Sequence, residues 1–136
     1  MQVNPYLNFD GTCAEAFRFY ETALGAKIVM MGTFGESPIA DQMPPEARDR
    51  IMHAVLDVKG MTIMGSDAMG AMFRTPQGFS VSLGIENEAE AERTFTNLSE
   101  GATIQMALQE TFWAKRFGML TDRFGIPWMV NCGKPM

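Results

Sequence analysis

The chain has 136 residues, a formal net charge of −5 at pH 7 and 46% hydrophobic residues. That length suits one ordinary domain whose core needs neither a metal nor a disulfide. The acidic balance, without a run of Lys and Arg, excludes nucleic acid and anionic membranes as expected partners. No run of about 18 apolar residues occurs and the start of the chain lacks a leader pattern, so we expect a soluble, cytoplasmic protein.

Two residue types add to this profile. Cys13 and Cys132 are the cysteines of the chain, and neither stands in a Cys-x-x-Cys or other metal-ligand spacing. We therefore expect both thiols to be reduced and structural. The thirteen methionines are an excess that suits an adaptable core or an adaptable binding surface.

An internal repeat organises the chain. Residues 7–28 align with residues 83–104 without a gap, and a gapped repeat follows around residues 57–64 and 122–129. A repeated supersecondary unit predicts two modules of the same topology with paired positions. The aligned positions include Leu7 with Leu83, Phe19 with Phe95, and Met64 with Met129.

In the first half, the pattern predicts a strand, a helix and three further strands. Thr12 and Glu15 have the spacing of a capping box, and Gly25 ends the apolar helical face. The Pro-rich stretch 35–49 breaks both periodicities and is predicted as a long loop with one helical turn. The predicted strands cover residues 2–9, 27–33, 50–58 and 61–66.

The same order returns in the second half. Asn87 is predicted to cap the helix, with Glu90 at the reciprocal position and Gly101 closing it. Each half is therefore a βαβββ unit, and we expect an α+β fold in a single domain, residues 1–136. The predicted strands cover residues 79–85, 103–108, 113–121 and 126–132. The expected divisions are module one over about residues 1–68, a linker over about 69–78, and module two over about 79–136.

Motifs spread over nearly the whole chain carry a family resemblance. They are residues 4–11, 19–20, 24–26, 52–54, 63–67, 109–114, 117–118, 122–125 and 127–129. With the paired βαβββ modules, they resemble the PhnB-like branch of the vicinal oxygen chelate superfamily. That superfamily includes glyoxalase I, fosfomycin-inactivating proteins, extradiol dioxygenases and bleomycin-binding resistance proteins. The resemblance implies two sheets that curve around a cleft, and a homodimer.

The resemblance also bears on metal binding. Enzymes of the superfamily hold a divalent metal in the cleft on His and Glu side chains from four strands. The corresponding positions here are Asn4 (or Pro5 with a one-residue slip), Met64, Ser80 and Met129. None of them is His, Asp or Glu, which supply the ligands that such ions prefer. We therefore expect no metal and no other cofactor.

Some PhnB-like proteins carry the label demethylubiquinone methyltransferase. The sequence gives no physical support for that activity, because no Gly-rich turn follows a strand and opens a helix with an acidic residue downstream. No Ser-His-Asp or Cys-His arrangement is recognisable either. No catalytic residue is therefore assigned.

His53 is the one histidine in the chain and the side chain that titrates nearest neutral pH without help. On a strand of the predicted sheet it is either a general base or ligand donor, or a hydrogen-bonded structural residue. Ser66 and Asp67 end the next strand, where the carboxylate either pairs with His53 or caps a turn.

A polar strand face predicts ligand binding. Tyr6 and Asn8 share one face with Asn4, and two serines share the matching face of module two. Trp113, beside two phenylalanines, forms either an aromatic wall of the site or a packing or dimer contact. The predicted ligand-binding residues are Tyr6, Asn8, His53, Met64, Ser66, Ser80, Ser82, Trp113 and Met129.

The resulting hypothesis is a dimeric, metal-free PhnB-like protein that binds a small, partly apolar molecule beneath the Pro-rich loop. Sequestration without turnover, as in bleomycin resistance, is the pattern it would follow. The alternative is a metal-independent isomerase, lyase or transferase acting on a small carbonyl compound through His53. A third hypothesis is a regulatory protein with a vestigial cleft. An enzyme requires an open His53 within hydrogen-bond reach of a second polar group.

Overall fold

The computed structural model describes residues 1–134, which divide into two compact units, Met1–Arg74 and a second unit that begins at Thr75. Each unit contains one four-stranded sheet and one α-helix. The division falls inside the predicted linker, residues 69–78. The last two residues of the predicted module two, 135 and 136, lie outside the described residues.

Module one follows the predicted βαβββ order. Its sheet has the strand order β1-β4-β3-β2, in which β1 runs parallel to β4 and the other pairs are antiparallel. Helix α1 packs on one face of this sheet, and the opposite face, called here the open face of module one, carries no helix of its own module. The elements are β1 Tyr6–Phe9, α1 Cys13–Leu24, β2 Lys27–Thr33, β3 Ile51–Val58 and β4 Met61–Asp67.

Module two repeats this topology. Its strand order is β5-β8-β7-β6, again with one parallel pair, between β5 and β8. The predicted α+β class and the paired βαβββ modules are therefore confirmed. The elements are β5 Val81–Gly84, α2 Glu88–Leu98, β6 Thr103–Gln109, β7 Ala114–Thr121 and β8 Pro127–Gly133.

The first strand of each module is shorter than predicted. β1 begins at Tyr6 rather than at residue 2, directly after Pro5, which has no N–H to give to a neighbouring strand. β5 begins at Val81 rather than at residue 79, three residues after Gly78, which turns the chain with φ +82°. In each module, the first residues of the predicted strand therefore lie outside the paired strand.

The Pro-rich loop contains three single 3-10 turns where one helical turn was predicted, at Phe34–Glu36, Ala40–Gln42 and Pro45–Ala47. The first turn carries a capping box that the sequence analysis did not identify. Thr33 Oγ1 accepts a hydrogen bond from Glu36 N at 3.2 Å, and Glu36 Oε1 accepts one from Thr33 N at 3.0 Å. The hydrogen bonds that Glu36 Oε1 accepts from Thr33 N and, at 2.9 Å, from the Thr33 hydroxyl lower the pKa of the Glu36 carboxyl.

The helix ends test the predicted caps. The capping box predicted at Thr12 is wrong, because its side chain makes no cap hydrogen bond and Cys13 N donates to Asp67 Oδ1 at 3.0 Å instead. Asn87 is confirmed as the cap of α2, accepting from the backbone N–H of Glu90 at 2.9 Å. Gly25 is confirmed as the end of α1, with φ +64°.

The predicted end of α2 is two residues too late. The helix stops at Leu98, and Ser99 forms its C-cap with helical dihedrals. Gly101 follows with φ +71°, so it turns the chain toward β6 after the helix has ended.

A strand glycine in each core lets an aromatic ring approach the sheet. A Cβ placed at Gly65 would lie 2.9 Å from Phe17 Cζ, and one placed at Gly118 would lie 2.6 Å from Phe95 Cε2. Both phenylalanines are buried. Each helix therefore packs closely because its sheet has no side chain at the contact.

Candidate functional site

The open face of module one carries the polar residues that strand alternation predicts. On β1, Tyr6 and Asn8 alternate with the fully buried Leu7 and Phe9, so their side chains lie on the face away from α1. The parallel register places Tyr6 beside Met64 and Asn8 beside Ser66 of β4. Four of the predicted residues, Tyr6, Asn8, Met64 and Ser66, thus share one face.

His53 lies on the same face and contacts Tyr6. The Tyr6 hydroxyl lies 3.0 Å from His53 Nδ1, and the two rings stack with centroids 5.7 Å apart and planes at 22°. β4 separates β1 from β3, so the two backbones are about 10 Å apart at the usual strand spacing. The two side chains therefore meet above β4.

The possible pairing of His53 with Asp67 is wrong. Asp67 is 3% exposed and lies on the opposite face of β4, because it stands one residue beyond Ser66. Its oxygens accept hydrogen bonds from Cys13 N at 3.0 Å and Ile51 N at 2.8 Å. The carboxylate therefore joins the start of α1 to the start of β3, and the second polar group beside His53 is the Tyr6 hydroxyl.

Asp67 also affects the neighbouring thiol. Burial, followed by the negative charge of Asp67, raises the pKa of Cys13 from 9.0 to about 12. Both effects disfavour the thiolate, which is the nucleophilic form of cysteine. Cys13 is therefore a structural thiol.

An apolar strip lies beside the polar residues of the open face. The register continues from Met64 to Val55 on β3 and from there to Met30 on β2. Gly32 pairs with His53, and a Cβ placed there would meet only the Met30 methyl, at 3.8 Å. The face thus combines a hydrogen-bonding region, an open position beside His53 and a flexible apolar strip.

The open face of module two is richer in thioethers. The register places Ser82 beside Met129, Met129 beside Met119, and Met119 beside Met106. Ser82 and Met129 are therefore neighbours, as the repeat predicts. Ser80 lies before β5 rather than in it, so its predicted place on a strand face is wrong.

An exposed aromatic cluster occupies the turn between β6 and β7. The ring centroids of Phe112 and Trp113 are 4.8 Å apart, and those of Trp113 and Phe117 are 5.3 Å apart. Phe112 is 89% exposed and Trp113 is 45% exposed, so neither belongs to the core.

Trp128, the other tryptophan, is buried, and its Nε1–H donates to Asp122 Oδ2 at 2.8 Å.

The sequence analysis missed Asn131. It stands two residues after Met129 on β8, opposite Phe117, and strand alternation could have placed it on the same face. Its Oδ1 is buried and, within residues 1–134, accepts no hydrogen bond. No sequence pattern indicates that this oxygen is buried without a hydrogen-bond donor within residues 1–134.

The donor set does not fit the divalent metal of the superfamily's enzymes. Among the residues that the structure describes, no group of three or more His, Cys, Asp and Glu side chains could hold a metal ion. The corresponding positions, of which Asn4 and Ser80 lie just before a strand, offer neutral amide and hydroxyl groups and two soft thioethers, which suit such ions poorly. No helix within residues 1–134 is long and apolar enough to cross a membrane.

The fold and these two faces define a protein of the glyoxalase-like, vicinal oxygen chelate type. The fold alone is shared with the fosfomycin resistance protein FosX from Listeria monocytogenes, which is 10% identical at a TM-score of 0.68, covering 98% of this chain and 94% of that one. The family described as 3-demethylubiquinone-9 3-methyltransferase matches residues 1–131. The chain belongs to this PhnB-like family.

Three relatives are similar over nearly their full lengths. Protein YjdN of Escherichia coli K12 is 39% identical, covering 98% of this chain and 97% of its own. The crystal structure of protein PA1353 from Pseudomonas aeruginosa is 46% identical, with a TM-score of 0.90 and 99% of each chain covered. The PhnB protein of Bacillus cereus is 24% identical, with a TM-score of 0.82 and 98% and 100% of the chains covered.

Proposed function

We propose that the protein binds a small, partly apolar molecule on the open face of module one and sequesters it without turnover. The observation that carries this proposal is the hydrogen-bonded pair of Tyr6 and His53, which lies beside the polar side chains of Asn8 and Ser66. Few, well-placed polar groups next to apolar surface are typical of small-molecule sites. The proposed ligand is held without a metal.

The apolar strip determines how selective this site is. The methionine side chains at its two ends, Met64 and Met30, have three rotatable bonds and adapt to ligands of different shape. We therefore expect loose selectivity for the apolar part of the ligand and stricter selectivity for the atom that contacts His53. Ser82 and Met129 offer a second, less polar surface for binding on module two.

A thermal-shift screen across metals and a metabolite library tests the proposal, because a compound that binds only the folded state raises the melting temperature. For a ligand found this way, Met64→Glu should weaken binding by more than about 1 kcal/mol, since it adds an unpaired charge to the face. Met61→Glu is the matched control, because Met61 begins the same strand and is 67% exposed. Equal effects of the two substitutions would contradict the proposed site.

The second candidate function is a metal-independent isomerase, lyase or transferase that acts on a small carbonyl compound. The observation that favours it is that His53 is only half-buried and within hydrogen-bond reach of a second polar group, as acid–base catalysis requires. Turnover that disappears in His53→Ala, while that variant still folds and binds the substrate, would replace the sequestration proposal with the enzyme proposal.

We further propose that the protein is a homodimer. Phe112, Val29 and Ile104 are large apolar residues with about half or more of their surface exposed, and β2 and β6 are edge strands. Exposed apolar residues and sheet edges are surfaces that proteins commonly cover by association. Sedimentation at micromolar concentration should give twice 15.1 kDa. A species of 15.1 kDa would contradict this proposal.

A cytoplasmic location is proposed on the state of the cysteines. Cys13 and Cys132 are both buried and free. Unpaired thiols are usual in a reducing compartment. Fractionation of cells that express the tagged protein would test this location.

A further inference from the structure

We propose that Tyr6 fixes the tautomer of His53, so that Nε2 carries the proton and is aimed at a carbonyl or carboxylate oxygen of the ligand. This inference rests on the proposed function and names the chemical class of the ligand. Tyr6 is thereby a positioning residue, which acts on the ligand through His53. The inference is drawn from the one side-chain hydrogen bond of the pair and from the groups around it.

The position of the proton between Tyr6 and His53 follows from the chemistry of the two groups. A phenol O–H is a stronger donor than a neutral imidazole N–H, and an imidazole nitrogen is a stronger acceptor than a phenol oxygen. In the 3.0 Å contact, the Tyr6 hydroxyl therefore donates and His53 Nδ1 accepts. Because Nδ1 accepts, the ring proton of the neutral imidazole is on Nε2.

Several polar groups of the open face remain available to a ligand. Within residues 1–134, no hydrogen bond involves His53 Nε2, the Ser66 hydroxyl or the Asn8 side-chain amide. The carboxylate next in sequence, Asp67, lies on the other face of the sheet and is bound to two backbone N–H groups. The face therefore presents the Nε2–H donor of His53 beside two neutral side chains that can donate or accept. The carboxylate of Asp10, two residues beyond Asn8, is paired with the Arg50 guanidinium at 3.1 Å. This set favours an acceptor oxygen at His53 over an ammonium group.

The surface beside His53 indicates what kind of group the rest of the ligand is. Gly32 leaves open space beside His53, and the adjoining Met64, Val55 and Met30 form the apolar strip. A ligand oxygen at His53 would thus be attached to a flat or short apolar group lying on the strip. Benzoate and benzamide present this combination, and benzylamine has the same ring with a donor in place of the acceptor.

The tautomer can be measured directly because the chain contains a single histidine. A long-range proton–nitrogen NMR spectrum at about pH 8, where a free imidazole is neutral, should show the proton on Nε2. Tyr6→Phe should restore a mixture of both tautomers. Tyr20→Phe is the matched control, because it makes the same chemical change at the other tyrosine, which is buried on α1, and should leave the tautomer unchanged.

The ligand class is tested with the three ring compounds. Benzoate and benzamide should shift amide resonances of β1, β3 and β4, and benzylamine should bind at least about tenfold more weakly, since its ammonium cannot accept the hydrogen bond that His53 Nε2 donates. His53→Gln keeps an N–H near the Nε2 position and should retain binding within about threefold, whereas His53→Asn should lose about tenfold. A dispersed amide spectrum of each variant establishes that it is folded.

The outcomes separate this inference from the proposed function. If none of the three compounds shifts a resonance of module one and the metabolite screen also finds no ligand, the proposed function fails. If a compound binds but the proton is on Nδ1, or benzylamine binds as tightly as benzoate, this inference is overturned and the proposed function stands. An unchanged tautomer in Tyr6→Phe would likewise overturn the role given to Tyr6.

Discussion

The two modules have the same strand order and close their cores in the same way, yet their open faces differ. In module one, the hydroxyl of Tyr6 and the imidazole of His53 lie beside two further polar side chains. In module two, the equivalent position beside Ser82 leads into a row of three methionines. Under the proposed function, hydrogen-bonded recognition of the ligand therefore falls to module one.

The modules also use a buried carboxylate differently. Asp67 joins segments that are distant in sequence, because its donors lie at the start of α1 and the start of β3. Asp122 stays local and accepts from Phe124 N, Ile126 N and the indole N–H of Trp128. Asp67 thus stabilises a long-range contact of module one, and Asp122 stabilises a turn of module two.

The largest expected effect comes from removing these carboxylates. Asp122→Ala should lower the free energy of unfolding by about 5 kcal/mol, since it leaves three donors without their acceptor. Asp67→Ala, which leaves two, should cost about 3 kcal/mol. Asp57→Ala is the control, because Asp57 is half-buried and, among residues 1–134, its side chain accepts from Gly60 N alone. Urea unfolding measures the loss of unfolding free energy in all three variants. A larger loss for Asp67→Ala than for Asp122→Ala would contradict the ranking by number of donors.

The next effect is a pH dependence that belongs to module one. Below pH 9.0 the Cys13 thiol is protonated in both the folded and the unfolded chain, so it adds no pH dependence. Between 9.0 and about 12 the unfolded chain releases a proton that the folded chain retains, so stability falls as the pH rises. The full loss is on the order of 4 kcal/mol.

The measurement compares the wild type with Cys13→Ala in urea at several pH values above and below 9.0. The difference in unfolding free energy between the two proteins should be constant below that pH and should shrink above it, because the alanine variant lacks this titration. A constant difference throughout would mean that the folded protein does not raise the pKa of this thiol.

The strand glycines predict a smaller effect. Gly118→Ala should destabilise module two by about 2 kcal/mol, since its new methyl would overlap the Phe95 ring and approach the Leu108 backbone. Gly84→Ala is the matched control, because a Cβ at Gly84 meets nothing within 4 Å. The control should change the unfolding free energy by less than about 0.5 kcal/mol. Equal costs would show that loss of glycine itself, rather than overlap with Phe95, is responsible.

Much of the fold was predictable because the repeat and the strand alternation are local signals. Alternation predicted that Tyr6 and Asn8 share one face, and in the structure the parallel register sets them beside Met64 and Ser66. The sequence repeat was less reliable for packing. It aligns Phe19 with Phe95, but the ring that packs against the strand glycine of module one is that of Phe17.

The candidate site was less predictable than the fold, for two physical reasons. The contact between Tyr6 and His53 spans 47 residues and passes over an intervening strand, so no local pattern encodes it. Asp67 was expected either beside His53 or in a turn, and the sequence could not choose because a shift of one residue moves a strand side chain to the other face. The buried oxygen of Asn131 depends on surroundings that sequence spacing does not describe.

The smallest predicted effect is a difference in stability between substitutions at the N-cap residues of the two helices. Asn87→Ala should cost about 1 kcal/mol, because it removes the acceptor of the Glu90 N–H. Thr12→Ala should cost less than about 0.5 kcal/mol, because the Thr12 side chain makes no cap hydrogen bond and Asp67 serves that helix start instead. Urea unfolding of the two variants measures both costs. A cost of about 1 kcal/mol for Thr12→Ala would restore the cap predicted from sequence and would contradict the division of roles between Thr12 and Asp67.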